Sequence, residues 1–114
     1  MNGPTLSRMV YGTWRMLDNA PSAQDINRRL SLCLDLGITT IDGAEIYGGY
    51  AQEAALGAGL ALSPGLRDRL ELVTKSGIYI PHPSASIRRV AHYDVTAKRL
   101  AIRLLSCPAL WCPP

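Results

Sequence analysis

Short β-branched or aliphatic runs alternate with helical stretches along this chain, and that alternation is what most limits the folds open to it. Residues 6–12, 38–42 and 70–75 read as strands, the first ending in Gly12-Thr13-Trp14-Arg15. Between them, Ser22-Ala23-Gln24-Asp25 has the spacing of a capping box, with Pro21 before it, and opens a helix. Ile26, Leu30, Cys33 and Leu34 recur on one side of that helix, and Gly37 ends it as a left-handed cap. A second helix runs from Gln52 to about Leu62 and closes at Ser63-Pro64-Gly65. Gly57 and Gly59 inside it weaken helix propensity and suit close packing against a neighbour. Residues 76–95, with Pro81, His82, Pro83 and His92, fit neither periodic template and read as a long loop. Thr96 caps a last helix with Leu100 and Leu104 on one side, which stops at Cys107-Pro108. The order β-α-β-α-β-loop-α means parallel strands joined by right-handed crossovers, in a doubly wound sheet or a barrel.

Chemistry gathers at the strand ends. The run 38–42 finishes in Asp42, Tyr47 follows five residues later, and the next strand finishes in Lys75. Adjacent parallel strands lie roughly 4.8 Å apart, so Asp42 and Lys75 can meet beneath Tyr47 as a proton-transfer site. Singly, Asp42 also suits a turn cap, Tyr47 a packed aromatic and Lys75 a solvated charge. Active residues at the C-terminal ends of successive strands favour the barrel. Trp14 either lines a substrate pocket or covers the barrel mouth. Glu53, in the second helix, either reaches a cofactor in a complete barrel or is a surface helix glutamate, and the surface reading is preferred. Gly57-x-Gly59 has no third glycine at dinucleotide-fold spacing and follows no strand directly.

Composition excludes several classes. With 47% hydrophobic residues in 114 and a net charge of +3, the chain is a single small globular domain. Its basic residues are dispersed, including Arg28-Arg29, Arg67, Arg69, Arg88-Arg89 and Lys98-Arg99, so no nucleic-acid partner is expected. No apolar run reaches membrane length and the N-terminus lacks a signal-peptide pattern, so the expected location is cytoplasmic, without a membrane partner. Cys33 lies in a helical pattern, while Cys107 and Cys112 sit in a Pro-rich tail without His or Asp companions. Neither a metal site nor a disulfide framework is expected.

The ordered pieces Ser7-Arg8-Met9-Val10-Tyr11-Gly12-Thr13-Trp14-Arg15, then 34–50, then Glu53, then 71–77 resemble the aldo-keto reductases, in particular a bacterial branch with a short Gly-x-Trp-Arg element. The resemblance implies an α/β fold, the first three β/α units of a (β/α)8 TIM-type barrel. It implies NADPH-dependent reduction of an aldehyde or ketone. Tyr47 matches the general acid that protonates the carbonyl oxygen, Lys75 the cation that eases release of the phenolic proton, and Asp42 the carboxylate that anchors the lysine. Gly12, Thr13 and Asp42 match positions near the cofactor, and Trp14 and Tyr47 match the substrate pocket.

From about Lys98 the resemblance fades. The expected organisation is an N-terminal aldo-keto reductase portion, 1–97, and a divergent tail, 98–114, the reading frame being cut short or shifted near Lys98. The family's fourth-strand histidine and its phosphate-binding segments belong to later strands; His82 and His92 are not equivalents. On this reading the chain is an inactive portion of a barrel with open strand edges and an uncovered inner face. An alternative is a non-catalytic, barrel-derived module that binds partners or oligomerises through those edges.

Overall fold

The computed structural model describes residues 3–83 and 90–106. Three short strands, β1 (Val10–Gly12), β2 (Thr40–Asp42) and β3 (Glu71–Val73), form a parallel sheet in the order β1-β2-β3. The sheet is open rather than a closed barrel. Register aligns Gly12, Asp42 and Val73 in one row across the three strands. Each strand is shorter than its apolar run. At the start of β2, the Ser7 hydroxyl accepts from the amides of Thr39 and Thr40 (3.1 and 3.0 Å), and the Ser7 amide donates to Thr40 Oγ1 (2.9 Å). A side chain thus replaces strand pairing at that edge.

Helix α1 (Ala23–Asp35) links β1 to β2, and α2 (Gln52–Ala61) links β2 to β3. The capping box is formed: the Asp25 amide donates to Ser22 Oγ (3.1 Å) and the Ser22 amide to Asp25 Oδ2 (3.0 Å). At the other end, Gly37 has φ +74°, which lets its amide reach the Leu34 carbonyl (3.0 Å) and the Ile38 amide reach that of Cys33 (2.8 Å). These two bonds make a Schellman cap. Ile26, Leu30 and Cys33 are buried, and the core continues through Ile41, Leu56, Leu60, Leu66, Leu70 and Met16. Period-2 alternation turns Tyr11, Ile41 and Leu72 toward this core.

Gly59 is where α2 meets α1. A Cβ there would lie 2.5 Å from Ile26 Cγ2, and Asn27 Nδ2 donates to the Gly59 carbonyl (2.8 Å). The close-packing reading of this glycine holds.

Residues 76–95 contain structure that their sequence pattern does not show. Strands β4 (Ile78–Tyr79) and β5 (His92–Tyr93) pair antiparallel, and Tyr79 stacks on His92 at 4.7 Å. Two-residue strands are too short to display alternation. The last helix, α3 (Ala97–Ser106), is oriented by its arginines. Leu100 and Leu104 are 43% and 63% exposed, whereas Arg99 is buried and Arg103 nearly so. Arg88, Arg89, Cys107, Cys112 and the rest of the expected tail from 107 onward lie outside the described residues.

Two outcomes follow from this packing. In Gly59→Ala, relief of a helix-propensity penalty of about 1 kcal/mol is outweighed by an overpacking cost of about 1–3 kcal/mol, so the urea midpoint should fall; an unchanged or higher midpoint would show that Ile26 yields freely. Hydrogen bonds from the Ser22 side chain and backbone, with Arg28 beside them, hold the Asp25 carboxyl down at about 2. Because this value is depressed, its stabilising effect is full above the ordinary carboxylate range near 4 and is lost as pH falls toward 2. Acid titration followed by circular dichroism should lose this component in Asp25→Asn.

Candidate active site

The row Gly12, Asp42 and Val73 fixes where the three strand-end loops emerge. Hydrogen bonding continues past the strands: the Thr13 amide donates to the Asp42 carbonyl (3.0 Å), that of Gly43 to Val73 (2.8 Å), and that of Glu45 to Lys75 (2.9 Å). Asp42 and Lys75 are thereby brought together. Lys75 Nζ donates to both carboxylate oxygens of Asp42, at 2.6 and 2.7 Å, although the lysine side chain is 51% exposed. The same ammonium lies 5.5 Å from the centre of the Tyr47 ring.

Tyr47 begins a tight turn (Tyr47–Tyr50) in which Gly48, Gly49 and Tyr50 all have positive φ. The positive φ of Gly48 favours glycine there; a Cβ would also press on the tip of the Leu17 side chain, 2.6 Å from its Cδ1. The reversal leaves Tyr47 over the Asp42–Lys75 pair and sends Tyr50 outward. Tyr50 Oη accepts from the Ile80 amide (2.8 Å) and donates to its carbonyl (2.9 Å), pinning β4 beside the turn. A cavity of about 150 Å³ opens between these elements, with Ala44, Ile46 and Ile78 as apolar walls and Tyr47 and Lys75 as polar edges. Glu45 and Ser76 complete its lining.

Trp14 stacks beside Tyr47, centroids 6.4 Å apart and planes 29° apart, and is 73% exposed. Thr13 is fully buried, its hydroxyl donating to the Asp42 carbonyl (2.9 Å). It therefore braces the end of β2. Gly12 has open space where a side chain would stand, so a flat ring can approach the strand ends there. The His82 ring fills the space beside Gly49, and His92 sits in the β4–β5 pair. Among the described residues no three His, Cys, Asp or Glu side chains converge, and no helix is long and apolar enough to cross a membrane.

A buried charge cluster beneath the site was not anticipated. Glu53 is 6% exposed, contrary to its reading as a surface residue: Thr74 Oγ1 donates to it (2.6 Å) and Arg103 pairs with it. Glu45 accepts from Ser76 Oγ (2.9 Å), pairs with Arg99 and lies 3.7 Å from Arg103 Nε. Burial pushes the Arg99 guanidinium below its ordinary pKa, and the Tyr79 ring lies 4.5 Å from it. The i, i+4 spacing of Arg99 and Arg103 was the available signal, since it puts both on one face of α3.

Residues 8–101 match the family model described as Aldo/keto reductase family. The chain is 51% identical over 98 residues to a 6-dehydroglucose reductase of Agrobacterium fabrum, covering 85% of this chain and 33% of that protein. It is 51% identical over 76 residues to the oxidoreductase YdhF of Escherichia coli, covering 67% and 26% respectively. Among solved structures, a glycerol dehydrogenase of Gluconobacter oxydans superposes with a TM-score of 0.69 at 25% identity, over 93% of this chain and 32% of that one. The PA4992 protein of Pseudomonas aeruginosa superposes with a TM-score of 0.73 at 25% identity, over 96% and 39%. The chain thus spans about a third of the length of the curated relatives it matches.

Proposed function

The chain belongs to the aldo/keto reductase family, and we propose that it carries the proton-donating part of an NADPH-dependent reduction of an aldehyde or ketone. The observation that carries this reading is the Lys75 ammonium, held on Asp42 and placed against the Tyr47 ring. A carbonyl group seated in the cavity meets the Tyr47 phenol at its oxygen. Tyr47 gives its proton to that oxygen as the carbon is reduced, and the Lys75 charge stabilises the phenolate left behind. Asp42 keeps the ammonium in place and offsets its charge. When bound, the nicotinamide cofactor supplies the hydride; Gly12, with its open flank, and Asp42 would hold its nicotinamide end, while buried Thr13 braces the Asp42 carbonyl rather than touching the cofactor. Trp14 offers an aromatic wall beside the phenol. The Agrobacterium relative's name points to a sugar aldehyde as a first substrate to try, with NADPH and NADH compared.

A chimera in which residues 8–101 replace the matching third of that relative tests the reading in a complete barrel. It should reduce the sugar aldehyde, and Tyr47→Phe should lower kcat by about 10²–10⁴-fold while leaving cofactor binding intact. Retention of the rate in folded, cofactor-binding Tyr47→Phe would exclude Tyr47 as the acid.

A further inference from the structure

Lys75 lies beyond the last paired residue of β3, on a segment without strand neighbours on both sides. Its ammonium nevertheless occupies one place, on both oxygens of Asp42. The residues flanking it are each tied to a different carboxylate, Glu53 buried and Glu45 nearly so. Thr74 Oγ1 donates to Glu53 at 2.6 Å, and Ser76 Oγ donates to Glu45 at 2.9 Å. Between them, the Lys75 carbonyl accepts from the Glu45 amide at 2.9 Å. Hydrogen bonds to ionised carboxylates are shorter and stronger than neutral ones, so these two clamps restrict the backbone on either side of the lysine. Carboxylates this deeply buried need counter-charges, and α3 places Arg99 against Glu45 and Arg103 against Glu53.

We infer that Glu45 and Glu53 are positioning residues for Lys75: through Ser76 and Thr74 they fix the segment that delivers the ammonium to Asp42, and Arg99 and Arg103 keep them in place. A long, flexible lysine stem would otherwise sample many rotamers, most of them away from Tyr47. The functional meaning of this arrangement rests on the reading of Lys75 as the partner of Tyr47; the positioning itself does not.

Lys75 and Lys98 are the only lysines in the chain, and Lys98 is exposed on α3, which provides an internal reference. An ammonium held by two carboxylate oxygens must leave them before it can be acylated. Trace labelling of the full chain with acetic anhydride, read by peptide mass spectrometry, therefore reports where Lys75 spends its time. The Lys75-to-Lys98 labelling ratio should be lower in the folded wild-type chain than in urea, and should rise at least about threefold in Asp42→Asn. Glu53→Gln and Thr74→Val should raise it comparably, and Thr74→Ser, which keeps the hydroxyl, should return it to the wild-type value. Should Glu53→Gln fail to fold, Thr74→Val against Thr74→Ser decides alone, since a merely structural role would not separate them by hydroxyl. A wild-type ratio in folded Thr74→Val would overturn the inference. A raised ratio in Thr74→Val together with full activity of the Tyr47→Phe chimera would uphold the positioning and reject the proposed acid.

Discussion

Parallel pairing along both edges of β2 is the constraint from which the rest of the structure follows. Because Thr40, Ile41 and Asp42 are in register with β1 on one side and β3 on the other, all three strands end at the same level. Ile41, with Tyr11 and Leu72 beside it, points into the core under α1 and α2. The alternate positions, Asp42 and Val73, then point the other way, and Lys75 follows Val73 by one side-chain period. Burying Ile41 and Leu72 sends Asp42 to the other side of the sheet, and the Glu45–Lys75 backbone hydrogen bond past the end of β3 keeps Lys75 within reach of it there. The Gly48-Gly49 reversal completes the group by turning Tyr47 back over the pair.

The burial of charge is the less expected feature. Helix α3 carries two i, i+4 pairs, Leu100 with Leu104 and Arg99 with Arg103, and only one can face the protein. Hydrophobic patterning alone favours the leucines. The carboxylates of Glu45 and Glu53 reverse that choice, since an unpaired buried carboxylate costs more than an exposed leucine. Apolar surface on α3 is left facing solvent as the consequence. The same arginines pair with the two carboxylates that accept from Thr74 and Ser76, the residues on either side of Lys75.

Much of this was legible in the residues. Asp42, Tyr47 and Lys75 stood out because β-branched runs mark strands, and the end of a parallel strand is where a side chain becomes available to a ligand. The Ser22–Asp25 box and Gly37 declared their helix ends through local chemistry, and Gly59 declared a close contact. What depended on distant partners was hidden. The burial of Glu53 needs Thr74 and Arg103, neither of which is near it in sequence. Strands β4 and β5 are two residues each and hold together through the Tyr79–His92 stack and the Tyr50 anchor at Ile80, not through any pattern of their own. Thr13 matched a position near a cofactor by resemblance, while its burial and its bond to the Asp42 carbonyl give it a bracing role that sequence could not show.

Strand register and the bonds that continue past it bring Lys75 to Asp42 beneath Tyr47. The most direct measurement is a nuclear Overhauser experiment on the isotopically labelled chain, comparing Lys75 side-chain protons with the Tyr47 ring protons. Cross-peaks between the lysine Hε and the tyrosine ring, alongside backbone cross-peaks between β2 and β3, are the predicted result. A formed β2–β3 ladder with the Lys75 Hε protons showing no contact to the Tyr47 ring would contradict it.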